Sequence, residues 1–242
     1  MSSEENDLIS LKSTIEGEVI KRGAEAKLLK SKWLDLDAIY KVRVEKKYRH
    51  PVIDVKLRKE RTVGEARIMA ALIDIDVPVP ALYDVYLDNY CIVMEFIEGK
   101  RVKDILNDLG DQDVNELFKQ IGYEIGKMHQ RNIIHGDLTT SNILYTGNLK
   151  GNSARNARFC FIDFGLSGYS TSIEDKSVDL HLFKRVISST HASKFDQLYQ
   201  PLVQGYKEYH VSNAMEDQFN AIMKRIEKIE ARGRYVKKEK RN

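Results

Sequence analysis

The sequence predicts an α+β chain of two lobes, with strands in its first part and helices in its second. Three observations support this. Up to Gly99, short apolar runs are separated by turn residues, a pattern typical of strands. Beyond Gly99, apolar residues recur at helical spacing over longer segments. The chain has 242 residues, 42% of them hydrophobic, which is enough core for one domain or for two small lobes.

The first lobe, residues 1–98, is predicted to hold a small sheet and one helix. The helix lies between Glu60 and Ile73, where apolar residues recur at helical spacing. The prolines of Val77–Pro80 exclude that segment from a helix interior and end the pattern. The strands are placed at 18–21, 26–30, Ala38–Val44, 81–87 and 90–96.

The second lobe, residues 99–231, is predicted to be mainly helical. Its clearest helix runs from Val114 to Met128 and has one apolar face. The polar insert from Gly147 to Ala157 is expected to be an exposed loop between two short strands. Those strands are placed at 143–145 and 159–162, and two further helices at Val178–Ile187 and 213–230.

Charge is distributed unevenly along the chain. The net charge is +3, but the terminal segment 232–242 holds six basic residues and one acid, a local charge of about +5. The rest of the chain is therefore mildly acidic. Such a tail is either a solvated end or an electrostatic contact for nucleic acid or phosphate.

The composition also narrows the class of protein. Cys91 and Cys160 lie in apolar strand-like runs, so we expect two buried free thiols in a reducing compartment. No apolar run approaches the length of a membrane span. Residues 1–6 are polar and acidic, so no signal peptide is expected.

The strongest indication of chemistry is His135-Gly136-Asp137-Leu138-Thr139-Thr140-Ser141-Asn142, followed by Asp163-Phe164-Gly165. Transfer of a phosphoryl group from ATP requires magnesium held against the phosphates and a carboxylate beside the accepting hydroxyl. Asp137 is predicted to orient that hydroxyl or accept its proton, and Asn142 and Asp163 to bind metal ions. The alternative is that these side chains only cap a turn and a strand end. Together, the two motifs resemble the catalytic loop and the D-F-G segment of protein kinases.

Upstream residues agree with this resemblance. Lys41 lies mid-strand and Glu65 lies on the following helix, which matches the kinase pairing of a strand lysine with a helix glutamate. Lys41 would then hold the α- and β-phosphates, and Glu65 would hold Lys41. Glu60 is the competing acid on that helix, and without the downstream motifs both partners would be read as solvated residues.

The run from Ile92 to Gly99 resembles the last strand of the first lobe entering the hinge between lobes. The backbone around Glu95 and Ile97 is predicted to contact the adenine edge. Met94 is predicted to line the back of the nucleotide pocket, a role compatible with an ordinary core position.

Several kinase features are missing. No G-x-G-x-x-G loop is present, and the segment from Gly17 to Ala26 stands in its place. Thr139 replaces the usual lysine of the catalytic loop, and Gly136 replaces the arginine that senses a phosphorylated activation loop. No A-P-E segment lies between Gly165 and Asp179. The residues of the replacement loop expected beside the nucleotide are Gly17, Gly23, Ala24 and Glu25.

These departures resemble one family, the small atypical kinase/ATPase subunit of the KEOPS (or EKC) complex, which is related to the RIO kinases. The resemblance covers nearly the whole chain. The matching segments are Gly23-Ala24-Glu25-Ala26, Lys47-Tyr48-Arg49-His50-Pro51, Glu60-Arg61-Thr62, Glu65-Ala66-Arg67, the catalytic loop, Asp163-Phe164-Gly165-Leu166-Ser167, Glu174-Asp175-Lys176, Val178-Asp179-Leu180 and Arg232-Gly233-Arg234.

The resemblance implies a two-lobed protein-kinase-like fold that uses ATP and Mg²⁺. It further implies partners: a larger metal-dependent subunit that makes threonylcarbamoyl-adenosine on tRNA, and other KEOPS/EKC subunits. The family hydrolyses ATP for that work, and many members phosphorylate serine. A cytoplasmic and nuclear location is expected. Within the complex, the 232–242 tail is predicted to contact tRNA. The tail could instead fold back on the ATP site or remain a solvated end.

Two other functions remain open from the sequence. One is a stand-alone serine/threonine kinase acting on proteins in trans, although a peptide substrate needs the surface that the A-P-E segment helps to build. The other is a pseudokinase scaffold, although Lys41, Asp137, Asn142 and Asp163 are all present.

Overall fold

The structure is a computed structural model that describes residues 17–147 and 158–239. The described residues form two compact units. The first contains residues 17–70 and 80–97, and the second contains residues 71–79, 98–147 and 158–239. The predicted order of strands first and helices second is therefore the order that the structure shows.

The first unit is an antiparallel sheet with one long helix. The strands are β1 Glu18–Arg22, β2 Ala26–Trp33, β3 Leu36–Arg43, β4 Leu82–Tyr86 and β5 Cys91–Glu95. They form one sheet in the order β1-β2-β3-β5-β4. Helix α1 spans Pro51–Ile73, so the predicted start at Glu60 is wrong. Its early apolar residues, among them Val52 and Ile53, are exposed and do not extend the buried stripe that marks the later turns.

Aromatic rings cover the core of this unit. Ala38, Cys91 and Val93 are fully buried on one face of the sheet. Trp33 stacks on Tyr83 with ring centroids 5.1 Å apart. Large rings contribute much of the apolar area that a small sheet can bury, which stabilises it. The rings and side chains packed against this face are Trp33, Tyr40, Val42, Tyr83 and Tyr86.

The second unit is mainly helical, as predicted. Its helices are α2 Val102–Ile105, α3 Asp111–Gln130, α4 Ile173–Thr190, α5 Phe195–Ser212 and α6 Glu216–Glu239. Its short strands are β6 Lys100–Arg101, β7 Ile133–Ile134, β8 Ile143–Tyr145, β9 Phe159–Phe161 and β10 Gly168–Tyr169. They form the sheets β6-β8-β9 and β10-β7.

Helix α5 was not predicted from the sequence. Leu198, Leu202 and Tyr206 are buried at helical spacing along it. Pro201 lies inside the helix, where proline lacks the backbone donor. The helix packs very close to α3, because a Cβ at Gly205 would lie 1.8 Å from the carbonyl oxygen of Lys119.

Three further outcomes concern the sequence predictions. Both cysteines are free and buried, as expected. Among the described residues, no helix has the length and apolar character needed to span a membrane. Helix α6 continues to Glu239, beyond the predicted helix end at residue 230 and into the predicted tail. The insert from 148 to 157 and residues 240–242 lie outside the described residues.

Candidate active site

The hairpin formed by β8 and β9 brings the two catalytic motifs together. Its register pairs Ile143 with Phe161, and the Ile162 N–H donates to the Asn142 carbonyl at 2.9 Å. Asn142 therefore ends the catalytic loop beside the backbone that leads into Asp163. The chain folds this way because two short apolar runs flank a polar insert, which is a local hairpin pattern.

Asn142 fixes the position of Asp137. Its Nδ2 donates to the Asp137 carboxylate Oδ2 at 2.8 Å and to the Asp137 backbone carbonyl at 3.0 Å. Both amide hydrogens of Asn142 are thereby directed at Asp137. The Asn142 Oδ1 atom takes no part in these bonds, so it can serve as a metal ligand.

Asp163 has an unusual backbone. Its φ is +68°, in the left-handed region that L-residues seldom adopt. This conformation falls on the residue predicted to bind metal. A turn follows it, in which the Ser167 N–H donates to the Phe164 carbonyl at 3.1 Å. Phe164 itself is buried, at 1% exposure.

The donors at this hairpin suit magnesium. Among the described residues, no group of three or more His, Cys, Asp or Glu side chains could hold a metal ion by itself. A carboxylate from Asp163 and an amide oxygen from Asn142 are hard oxygen donors. Mg²⁺ characteristically takes one or two such protein ligands and completes its shell with phosphate oxygens and water. The residues present therefore fit Mg²⁺ bound together with a nucleotide.

A buried carboxylate that the sequence analysis did not assign anchors the catalytic loop. Asp179 accepts hydrogen bonds from the backbone N–H groups of His135 and Gly136, each at 2.9 Å. His129 Nε2 lies 3.3 Å from the same carboxylate, and Tyr206 Oη lies 2.9 Å from His129 Nδ1. Burial alone would raise the pKa of Asp179, but the contacts with His129 and His135 outweigh it and hold the pKa below its ordinary value.

His135 lies beneath the loop as a neutral side chain. Burial lowers the pKa of His135, and the carboxylates of Asp179, Asp137 and Asp163 offset this only in part. Its Nδ1 accepts from the Asp137 N–H at 3.3 Å, and its ring centroid lies 4.8 Å from that of Phe164. The imidazole thus links the two motifs by packing and one hydrogen bond.

In the first unit, Lys41 pairs with Glu65. Their charged atoms are 2.6 Å apart, and both residues are almost fully buried. Glu60 is exposed instead and lies 3.8 Å from Lys56. Glu65 has a second cationic partner, which the sequence did not indicate. Arg43 Nη2 lies 2.6 Å from the Glu65 carboxylate. One buried carboxylate thus contacts two cations, which fixes the position of both side chains.

The segment that replaces the glycine-rich loop is exposed. A Cβ at Gly17 would lie 2.6 Å from the Lys30 carbonyl oxygen, so the chain passes close to β2 there. Gly23 begins a tight turn in which its N–H donates to the Ala26 carbonyl at 2.9 Å. Ala24 is an exposed residue of that turn. Glu25 directs its carboxylate to arginines within the first unit, including Arg61.

The strand predicted to lead into the hinge has part of its backbone already bonded. Met94 is half-buried and pairs with Ile39 of β3. The Glu95 N–H donates to the Ala81 carbonyl at 2.9 Å, and the Glu95 carboxylate accepts from the Ala81 N–H at 3.1 Å. Ile97 follows as a half-buried residue at the end of the first unit. The adenine contacts stay a prediction.

The segment after Asp163 is short. Only residues 164–172 separate it from helix α4. Within it, β10 pairs with β7 just upstream of the catalytic loop, and the Ser170 N–H donates to the Asn132 carbonyl at 2.8 Å. Ser172 caps α4 by accepting from the Asp175 N–H.

Comparison with known proteins places this geometry in a family. A family model described as the protein kinase domain matches residues 22–192. A protein of Pyrococcus abyssi named KEOPS complex subunit Bud32 is 41% identical over 90% of this chain and 96% of its own length. The chain belongs to the Bud32 family of protein kinase domains.

Other Bud32-like sequences are parts of longer proteins. A Methanocaldococcus jannaschii protein named as a probable bifunctional tRNA threonylcarbamoyladenosine biosynthesis protein is 39% identical over 93% of this chain. A Methanococcus vannielii protein of the same name is 38% identical over 96% of it. This chain covers only 38% and 39% of the length of those two relatives.

A solved structure supports the same fold. The Rio2 kinase-ADP/Mg²⁺-phosphoaspartate complex from Chaetomium thermophilum superposes with a TM-score of 0.60, covering 93% of this chain and 75% of that one. At 15% identity this likeness shows the fold alone. The predicted protein-kinase-like α+β fold and the predicted family, the atypical kinase/ATPase subunit of the KEOPS complex, are both confirmed.

Proposed function

We propose that this Bud32-family chain binds ATP with Mg²⁺ and transfers or hydrolyses its terminal phosphate, in support of threonylcarbamoyladenosine formation on tRNA. The observation that carries the proposal is the arrangement of Asp137, Asn142 and Asp163 around the β8–β9 hairpin. The Asn142 side chain donates to the Asp137 carboxylate at 2.8 Å, and the Ile162 N–H, one residue before Asp163, donates to the Asn142 carbonyl at 2.9 Å. The three side chains supply a base and hard oxygen ligands for a metal ion.

The site residues of the second unit would each have a defined task in this reaction. Asp137, held by Asn142, orients the attacking water or hydroxyl and accepts its proton. Asn142 Oδ1 and the Asp163 carboxylate would hold the metal ion. When bound, Mg²⁺ offsets the charge that develops on the phosphate oxygens. Asp179 keeps the loop in place during these steps, because it binds the loop backbone without facing the substrate.

Residues of the first unit would bind the nucleotide. Lys41, fixed by Glu65, is suited to the α- and β-phosphates. Because the Glu95 N–H is already bonded to Ala81, we expect the Glu95 carbonyl to contact the adenine amino group and the Ile97 backbone to complete the adenine contact. Met94 would line the back of the pocket. These roles are supported by the buried Lys41–Glu65 pair and by membership of the family.

The deciding experiment is ATP turnover by the purified chain, with Mg²⁺ and with a chelator in its place. Turnover should require the metal ion and should vanish in Asp163→Ala. Near-normal turnover by that variant would point to a different metal site. Repeating the assay with tRNA and with the larger tRNA-modifying subunit tests the cellular role, since turnover should rise only when the partners are present if the chain serves their reaction.

A protein kinase acting in trans is the second candidate. The short 164–172 segment argues against it, because a peptide substrate needs an extended platform there. A pseudokinase scaffold is the third, and the paired Lys41 and Glu65 argue against it. Incorporation of phosphate from ATP into added proteins would favour the protein kinase acting in trans. An absence of any ATP turnover would favour the pseudokinase scaffold.

Partners are also part of the proposal. Relatives named as a KEOPS complex subunit and as bifunctional biosynthesis proteins support association with other KEOPS/EKC subunits and with the larger tRNA-modifying protein. We propose that this assembly works in the cytoplasm and nucleus.

We propose that the basic 232–242 segment contacts tRNA phosphates in that assembly. Truncation after Ala231 should weaken tRNA binding and flatten its dependence on salt. An unchanged salt slope would rule out the contact, and a loss of ATP turnover without tRNA would favour a tail folded back on the ATP site.

A further inference from the structure

The 23–26 turn that replaces the glycine-rich loop is tied down on its backbone. Besides the bond between Gly23 and Ala26, the Glu25 carbonyl accepts from the Val44 N–H at 3.2 Å. The turn is therefore attached to the end of β3, one residue beyond Arg43. A glycine-rich loop, in contrast, has a backbone that can adopt many conformations.

The side chain of Glu25 is held by two arginines. Arg61 of α1 donates to its Oε2, and Arg49, just before α1, lies 3.4 Å from its Oε1. The hydrogen bond from Arg61 is the largest contribution to a pKa of Glu25 below the ordinary value. The carboxylate is 45% exposed, so the pairing lies at the surface of the first unit.

Arg49 also contacts a buried carboxylate. Its Nη1 lies 3.6 Å from Asp54, which is 1% exposed and accepts from Arg58 Nε at 2.7 Å. Arg49 therefore lies between Asp54 of α1 and Glu25 of the turn. Such support matters because an isolated surface pair gains little, whereas a supported pair loses less side-chain freedom on forming.

Arg61 is linked to the nucleotide-binding pair. Arg43 Nη2 donates to the Arg61 backbone carbonyl at 3.3 Å and also to Glu65 at 2.6 Å. Glu65 holds Lys41. A continuous set of contacts therefore runs from Lys41 through α1 to the turn at Glu25. It joins three sequence segments for which the proposed function gives no role: 23–26, 47–51 and 60–62.

We propose that Glu25 is a positioning residue and not a phosphate ligand: clamped by Arg61 and Arg49, it holds the 23–26 turn ready to cover the phosphates of ATP. A free carboxylate facing the phosphates would repel them, whereas a paired one fixes the turn without opposing the nucleotide. Charge pairing thereby replaces the adaptable closure of a glycine-rich loop. The inference rests on the proposed function, since it concerns how the chain binds ATP.

Pre-ordering the turn affects nucleotide binding more than turnover. The nucleotide meets a turn already in place, so less conformational freedom is lost when it binds. Losing the clamp should therefore raise the Kd for ATP with Mg²⁺ and leave kcat nearly unchanged. Because the pair is partly exposed, we expect about a three- to tenfold rise in Kd, and the rise should shrink at high salt.

The test is a double-mutant cycle on the full chain, read by titration calorimetry with ATP and Mg²⁺ and by kcat. Glu25→Gln and Arg61→Gln should each raise Kd by about three- to tenfold, and the double variant should be no worse than the weaker-binding single variant. Glu60→Gln is the control, since it makes the same glutamate-to-glutamine change one residue before Arg61, at an exposed side chain that lies near the exposed Lys56. Its Kd should equal that of the wild type.

The outcomes separate this inference from the proposed function. If the wild type binds and turns over ATP but Glu25→Gln has the same Kd, the clamp has no role. Additive effects in the double variant would mean that the two residues act independently, for example through Arg61 binding phosphate directly, and would also overturn the inference. A wild-type chain that binds no ATP would overturn the proposed function and this inference with it.

Discussion

Replacing Asp179 by Asn tests whether a buried carboxylate holds the catalytic loop. The two carboxylate oxygens accept from the backbone N–H groups of Gly136 and His135, each at 2.9 Å, and one also meets His129 at 3.3 Å. Asparagine has a similar shape but only one accepting oxygen. Its NH₂ group would therefore face a backbone N–H. Because both groups are donors, one of the two hydrogen bonds to the loop would be lost.

The size of the effect follows from those contacts. A hydrogen bond to a charged group contributes about 1.5–3 kcal/mol, and a buried donor without a partner costs about 1–3 kcal/mol. We expect Asp179→Asn to lower the free energy of unfolding by about 3 kcal/mol, which most domains of this size survive at low temperature. Because the loop carries Asp137, a displacement of about 1 Å should also reduce kcat by roughly tenfold to a hundredfold.

Urea unfolding and ATP turnover at low temperature would measure both effects. Asp74→Asn is the control, because it makes the same change on an exposed residue just beyond the end of helix α1. The control should alter stability by no more than about 0.5 kcal/mol and leave kcat unchanged. If Asp179→Asn unfolds at the same urea concentration as the wild type, the loop is not held by this carboxylate and the reasoning is wrong.

Four other predictions follow from the same geometry. Asp137→Ala and Asp163→Ala should each reduce ATP turnover by about a hundredfold or more while the chain still folds, and a residual rate near wild type in either would contradict its assigned role. Glu65→Gln leaves Lys41 and Arg43 facing a neutral amide in a buried site, so calorimetry should show that the free energy of unfolding falls by about 3 kcal/mol. Glu60→Gln should leave the free energy of unfolding unchanged. Burial lowers the pKa values of the histidines at 135, 181, 191 and 210. Below about pH 6.5 the unfolded chain therefore binds more protons than the folded chain, and the thermal midpoint should fall as the pH is lowered from 7 to 5.5. A midpoint that stays constant or rises over this range would contradict the prediction. Phosphatase treatment should leave ATP turnover unchanged, and a loss traced to Thr171 or Ser172 would show that the short segment is a switch after all.

The sequence predicted those parts of the fold that depend on neighbours along the chain. The strands of the first unit and the β8–β9 hairpin follow from short apolar runs and turn residues, and the structure has them close to the expected positions. The pairing of Lys41 with Glu65 could be inferred because both lie in regular elements of a recognised pattern. Local pattern and motif order were sufficient in these cases.

Other features depend on contacts that no local pattern reveals. Asp179 meets the catalytic loop across 44 positions of sequence, and an aspartate on a helix ordinarily indicates a solvated face. Arg43 resembles any basic strand residue until Glu65 is placed beside it. The start of α1 was missed because its first apolar residues, such as Val52, are exposed and carry no burial pattern.

The backbone around Gly136 shows why the phosphate-sensing arginine has no place in this structure. Its φ is +80°, and a Cβ there would lie 2.3 Å from the carbonyl oxygen of Leu166, closer than such atoms can approach. Leu166 is brought there because the short segment returns at once to pair β10 with β7, where Gly168 meets Ile134. With the backbone in this position, an arginine at 136 would clash with Leu166 and would need a strained φ, so the backbone around Gly136 is built for glycine.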